Sequence, residues 1–204
     1  MTNPTSVPQI VWDDLGIDHT DLGCVMIDVI PHPDILDIAG RMEDDAYYAN
    51  DSTYGYIDGI SKQHHATLLY GLTVDPNDHV KAVEALVLDN SDFRKIVKDG
   101  VIVKEFGFFP SSVPSHPDYG CVVAHLVPDQ LAYLNERLRL MPHIDTWPDY
   151  RAHVTIGYVN VRTAAYWVDK LNGAIRTIGA ARSMEFDKLN LGSFKPWLHG
   201  NEDQ

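Results

Sequence analysis

Two short runs in the chain share one pattern: His65-Ala66-Thr67 and His153-Val154-Thr155. In an extended strand, residues i and i+2 lie on the same face. Each run therefore sets an imidazole and a hydroxyl side by side. Two such pairs facing one cleft suit the cleavage of a phosphodiester. One neutral histidine can take a proton from an attacking hydroxyl or water, and the other, protonated, can donate to the departing oxygen. Histidine is the side chain whose ordinary pKa allows both states near neutrality. The two threonine hydroxyls can donate to the non-bridging phosphate oxygens, where charge rests in the transition state. Acid, base and anion-binding donors are all side chains, so this chemistry calls for no metal and no cofactor.

The other face of each run is apolar: Ala66, Leu68 and Tyr70 in the first, and Ala152, Val154, Ile156 and Tyr158 in the second. Alternation places these against a core, both tyrosines included. Gly157 is expected to clear space beside Thr155.

The elements that carry the motifs repeat. Leu22 to Ile27 reads as a buried strand, and a helix follows from about Asp34 to Ala46 on an apolar stripe of Ile35, Ile38, Ala39 and Met42. The strand His65 to Leu72 comes next, then a helix from about Asp78 to Leu88, and a strand from Val101 to Phe109. The second half runs through the strand Tyr119 to Ala124 and a helix Asp129 to Leu140 with Pro128 at its start. It continues with the strand Ala152 to Val159, a helix Thr163 to Leu171 ended by Asn172-Gly173, and a strand Met184 to Leu191. Each half opens on Gly-Cys-Val and carries His-x-Thr-x-x-Tyr on its central strand. Shared openings, order and central motifs together indicate two related lobes, about 22–110 and about 118–192. Residues 1–20 and 193–204 are peripheral to this single bilobal domain. A pseudo-twofold arrangement would set the two central strands side by side.

Composition narrows the function. The chain of 204 residues has 29 acidic against 16 basic residues, a formal charge of −13. A protein that holds long RNA or DNA needs a basic track that displaces many counterions. A small nucleotide suits this charge better. The sequence has no apolar run long enough to span a membrane and no basic-then-apolar secretory start, so a cytoplasmic protein is expected. Cys24 and Cys121 lie in apolar strands and read as buried thiols. Ten histidines invite a metal reading, but no His-Glu-x-x-His or Cys/His cluster has ligand spacing. His64 points away from His65, and His116, His125, His143 and His199 read as surface or packing residues. The acidic run Glu43-Asp44-Asp45 reads as a solvated face, and Phe106 to Ser112 as a strand end at the cleft rim.

Loop aromatics are candidates to stack on a base: Tyr54 and Tyr56 before the first motif, Trp147 and Tyr150 before the second, and Trp197 near the C-terminus. Lys62 and Arg151 could offset phosphate charge.

His65-Ala66-Thr67-Leu68 and His153-Val154-Thr155-Ile156 resemble the paired signature of the two-histidine (2H) phosphoesterase superfamily. That group includes LigT-like RNA cyclic phosphodiesterases and phage nucleases that destroy cyclic-oligonucleotide immune signals. The likeness spans roughly residues 22 to 192. The contexts Thr67 to Leu72 and Pro148 to His153 look like phage members; Ala152 stands where relatives often have Pro. The resemblance implies an α+β fold with two antiparallel-rich sheets around a central cleft and helices outside. It implies His65 and His153 as the acid–base pair, without saying which is which, and Thr67 and Thr155 as phosphate donors. The expected substrate is a cyclic di- or trinucleotide, which would make the protein a phage counter-defence enzyme in the host cytoplasm. An RNA end with a 2′,3′-cyclic phosphate is the alternative substrate, and nucleotide sequestration without turnover the alternative of another class.

Overall fold

The fold was obtained as a computed structural model that describes residues 22–51, 55–88, 90–111, 115–144 and 149–192. It is α+β, with strands β1 (Gly23–Ile30), β2 (Tyr48–Asp51), β3 (Gly55–Asp58), β4 (His65–Leu72), β5 (Val101–Pro110), β6 (Tyr119–Leu126), β7 (His153–Asn160) and β8 (Ser183–Gly192). The helices are α1 (Pro33–Arg41), α2 (Val80–Val87), α3 (Ser91–Asp99), α4 (Pro128–Leu138) and α5 (Val161–Thr177). Six strands close into one antiparallel ring in the order β1-β4-β7-β6-β5-β8, and β2 and β3 form a separate hairpin.

The ring is two three-stranded layers joined along two short seams. β4, β1 and β8 make one layer, and β7, β6 and β5 the other. At one seam β4 meets β7 through the single pair Ala66–Val154; at the other, β5 meets β8 through Val101–Met184 and Ile102–Ser183. The closing strands are exchanged between the halves of the sequence. β5, expected to close the first half, pairs along its length with β6, and β8 pairs with β1. Helices cover one face of the layers, where Val25, Ile27, Ala66, Leu68, Val122, Ala124, Val154 and Ile156 form the core with Ile35, Ala39, Phe93, Ile96, Leu131, Leu134, Leu138 and Leu171. The other face carries both His-x-Thr motifs and is the expected cleft face.

Several sequence boundaries shift for local reasons. The first helix starts at Pro33, with the His32 ring accepting from the Asp34 N–H, and gives way to a 3₁₀ turn at Glu43–Asp45. α3 was not anticipated, although Asn90 accepts the Asp92 N–H as an N-cap and Phe93 and Ile96 form a buried i,i+3 pair. α5 runs through the expected stop at Asn172-Gly173. The Asn172 amide donates to the Phe106 carbonyl and accepts from its N–H, both at 2.9 Å. This tie to β5 outweighs the local stop signal.

Candidate active site

The pair Ala66–Val154 fixes the register of the two motifs. Continued one residue each way, that register sets His65 opposite Thr155 and Thr67 opposite His153. All four side chains leave on the face away from Ala66 and Val154, which are fully buried. Facing residues in such a ladder lie about 5 Å apart at Cβ and diagonal ones about 7–8 Å. The two imidazoles are on a diagonal of this register. His65, Thr67, His153 and Thr155 are each half-buried.

Both motif strands then break step. β4 carries one extra residue at Leu68, because Val25 faces Leu69 and Met26 faces Thr67. β7 carries one extra residue at Ile156, because Val122 faces Gly157 and Val123 faces Thr155. These matching β-bulges reverse the alternation beyond the motifs. Tyr70, opposite Cys24, and Tyr158, opposite Cys121, thus come onto the cleft face, not the helix-covered face expected of them. Tyr158 still packs: its ring meets Tyr119 edge-on at 5.9 Å in a small second cluster with Ile57. Burial pushes both phenol pKa values up. The carbonyls at the bulges are satisfied from outside the ladder. The buried Asn135 of α4 donates to the Leu68 oxygen at 2.6 Å, and the Ser61 N–H donates to the Ile156 oxygen at 3.0 Å.

Beyond the single pair, β4 and β7 part, and each takes a partner from the other half of the sequence. The chain at Ala46–Tyr47 and Gly59–Ser61 lines β7, through bridges Ala46–Val159 and Ile60–Gly157. The chain at Pro142–Ile144 lines β4 through Leu72–His143. Gly157 therefore does not open space for a ligand. A Cβ there would lie 2.8 Å from Ile60 Cδ1 and 3.1 Å from its Cα; the glycine admits a crossing strand.

Around the motifs, the same row of the cleft face carries residues that sequence reasoning passed over. Asp28 faces His65 and Lys188 faces Asp28. Asn190 donates to both Asp28 oxygens at 3.1 and 3.2 Å, and Lys188 Nζ lies 3.5 Å from Oδ2. In the other layer His125 faces His153 and Glu105 faces His125. His125 packs, as expected, and does so on the cleft face: its ring lies across Gly107, where a Cβ would clash with Nε2. Phe109 stands edge-on to His125 and His153, both centroids at 5.3 Å. The Cys121 thiol lies 3.6 Å from Thr155 Oγ1, and burial pushes its pKa up to about 11. Alternation along β1 and β6 would have found Asp28 and His125 once each was paired with its motif strand.

Burial lowers the His65 pKa, Asp28 raises it, and the His153 charge lowers it further, with a net fall. His153 Nδ1 donates to the Arg151 carbonyl at 2.7 Å, leaving Nε2 as the free ring nitrogen. His125 is lowered by burial and by His153, against a raising effect of Glu105.

The remaining candidates divide. Tyr150 packs partly on the core, and its hydroxyl donates to the Thr67 carbonyl at 2.9 Å, tying the approach to the second motif onto the first. Lys62 and Arg151 are exposed beside the motifs. Tyr56 lies in β3 and not in a loop. Tyr54, Trp147 and Trp197 lie outside the described residues. No group of His, Cys, Asp and Glu among the described residues is arranged to hold a metal, and no described helix is long and apolar enough to cross a membrane.

No protein-family model matches the chain, and no curated protein matches it. Among solved structures it is similar to Usb1 of Kluyveromyces marxianus, at a TM-score of 0.47 and 9% identity over 86% of this chain and 95% of that one. The same protein with uridine monophosphate gives a TM-score of 0.47 at 7% identity, over 86% of this chain and 99% of that one.

Proposed function

We propose that the protein is a metal-independent phosphodiesterase, with His65 and His153 as the acid–base pair and Thr67 and Thr155 as donors to the phosphate. The register through Ala66–Val154 carries this reading, because it puts both histidines and both hydroxyls on one face around one point. A protein that only sequestered nucleotides would have no need of an acid–base pair. The substrate is a cyclic di- or trinucleotide, as in phage evasion of cyclic-oligonucleotide immunity. The charge of −13 supports a small substrate, as do Asp28 and Glu105, which set carboxylates on the cleft face where a long polyanion would run. The paired motifs suit the alternative substrate, a 2′,3′-cyclic phosphate on an RNA end, equally well in chemistry.

The test is a panel of cyclic di- and trinucleotides and cyclic-phosphate-ended RNA, incubated in EDTA. Turnover of a cyclic oligonucleotide that EDTA leaves intact is expected. Activity lost in EDTA and restored by a divalent ion would overturn the mechanism. Far more efficient processing of the RNA end would replace the substrate assignment.

A further inference from the structure

We infer that Asp28 is a positioning residue that makes His65 the proton acceptor of the reaction and leaves His153 as the proton donor. This rests on the phosphodiesterase reading above and adds a direction to it. The paired His-x-Thr strands alone are symmetric and would work either way round. Their neighbours are not symmetric. The position facing His65 on β1 holds a carboxylate, Asp28, whereas the equivalent position facing His153 on β6 holds another imidazole, His125.

The surroundings of His65 make that difference effective. On its own strand it shares the face with Thr67 and Tyr70; across the seam it meets Thr155 and His153; beyond Asp28 lie Lys188 and Asn190 of β8. The Asn190 amide bridges both carboxylate oxygens, and the Lys188 ammonium lies beside one of them, so the Asp28 side chain is held in place. Burial keeps the resting His65 imidazole neutral near neutral pH, as a base must be. Asp28 then acts on the cation that forms when His65 takes a proton. His153 has no carboxylate at the matching position; Glu105 lies one strand further, behind His125. Its Nδ1 is committed to the Arg151 carbonyl, so Nε2 is the nitrogen that delivers a proton.

In the step itself, the attacking hydroxyl forms the new O–P bond and its proton passes to His65. The bond from phosphorus to the leaving oxygen breaks, and that oxygen takes the proton from His153 Nε2. Exchange with water then removes the proton from His65 and returns one to His153.

Two substrates separate the roles: the dinucleotide UpU, and uridine 3′-(p-nitrophenyl phosphate), whose nitrophenolate departs without protonation. His65→Ala is expected to lose about 1,000-fold on both. His153→Ala is expected to lose about 1,000-fold on UpU and only about 10-fold on the nitrophenyl ester. The reverse pattern overturns the assignment. Asp28→Asn, which keeps shape and removes charge, is expected to lower kcat about 10- to 100-fold on both substrates, with KM nearly unchanged and the NMR titration of His65 moved to lower pH. Asp28→Glu should recover part of each effect. An Asp28→Asn variant with an unmoved His65 titration and normal kcat overturns the role of Asp28. If the wild type turns over neither compound, the phosphodiesterase reading fails on these substrates, while the titration still decides whether Asp28 governs the His65 proton.

Discussion

Each motif histidine stands opposite the threonine of the other motif, so in the proposed mechanism the four groups serve one phosphate and removing any of them leaves the rest misaligned with the reaction. His65→Ala and His153→Ala are each expected to lower turnover by roughly 100- to 10,000-fold. The double variant should lose less than the product of the two, as expected of groups that act as a unit. Thr67→Val and Thr155→Val should slow turnover through lost donors to phosphate. Steady-state kinetics on folded variants checks all of these; near-normal turnover in either alanine variant would refute the site. A different behaviour belongs to His64, next in sequence but on the helix-covered side. It is 9% exposed, its Nε2 has no hydrogen-bond partner among the described residues, and burial pushes its pKa down to about 4. Above the ordinary histidine value both folded and unfolded forms are neutral here, so His64 sets no pH dependence. As pH falls below about 6.5, the unfolded chain takes up the proton first, and stability drops until the folded pKa is reached. The loss is roughly 3 kcal/mol between pH 6.5 and 4. Urea denaturation should show that decline flattened in His64→Leu, which also removes the unpartnered nitrogen. An equally steep decline in that variant would assign it to other groups. The motif faces were legible because types and alternation coincide over three residues. The pairing of Asp28 with His65 and of His125 with His153 was not, because a strand's neighbours across the sheet are fixed by pairing and not by its own sequence.

Alternation is only as good as the ladder that enforces it, and the two bulges are where it failed. Leu68-Leu69 and Ile156-Gly157 read as ordinary apolar steps, and nothing local announces an extra residue. The signal lies elsewhere, in Asn135 of α4, a buried amide on an otherwise apolar stripe that bonds the freed Leu68 carbonyl. Asn135→Ala is expected to cost about 1–3 kcal/mol by leaving that carbonyl unpaired in the interior. Because Leu68 follows Thr67 directly, kcat should fall with it while the helices stay intact. Thermal melts, circular dichroism and kinetics on one preparation check this; loss of stability with unchanged kcat would detach the bulge from the site. The hairpin of β2 and β3 also escaped the sequence reading. Its strands are short, and the segments at its base lie against β7, far along the chain.

Across the whole molecule, the halves were legible and their exchange was not. Strand order along the chain says which elements exist, and the apolar patterns of β5 and β8 suit either neighbour. Since β5 pairs with β6, and β8 with β1, neither half owns a complete three-stranded layer. Residues 1–111 and 115–204, produced separately, are each expected to lack a cooperative melt and to recover both folding and activity when produced together. A cooperative transition in either fragment alone would show that the exchanged strands are dispensable. The same crossing explains why each motif strand is lined by a connection from the opposite half, so that a length change before the first motif reshapes the surroundings of the second.

Strand exchange also sets an order of events during synthesis. β1 leaves the ribosome first among the ring strands, and its outer neighbour β8 leaves last, roughly 160 residues later. At about 5–20 residues per second, β1 waits roughly 8–30 seconds for that partner. Until then the apolar run Gly-Cys-Val-Met-Ile-Asp-Val-Ile presents an unpaired edge to the nascent chain and its surroundings. The ring that sets the two motifs side by side therefore closes only once β8 has been made, and until then that first strand is open to pairing elsewhere.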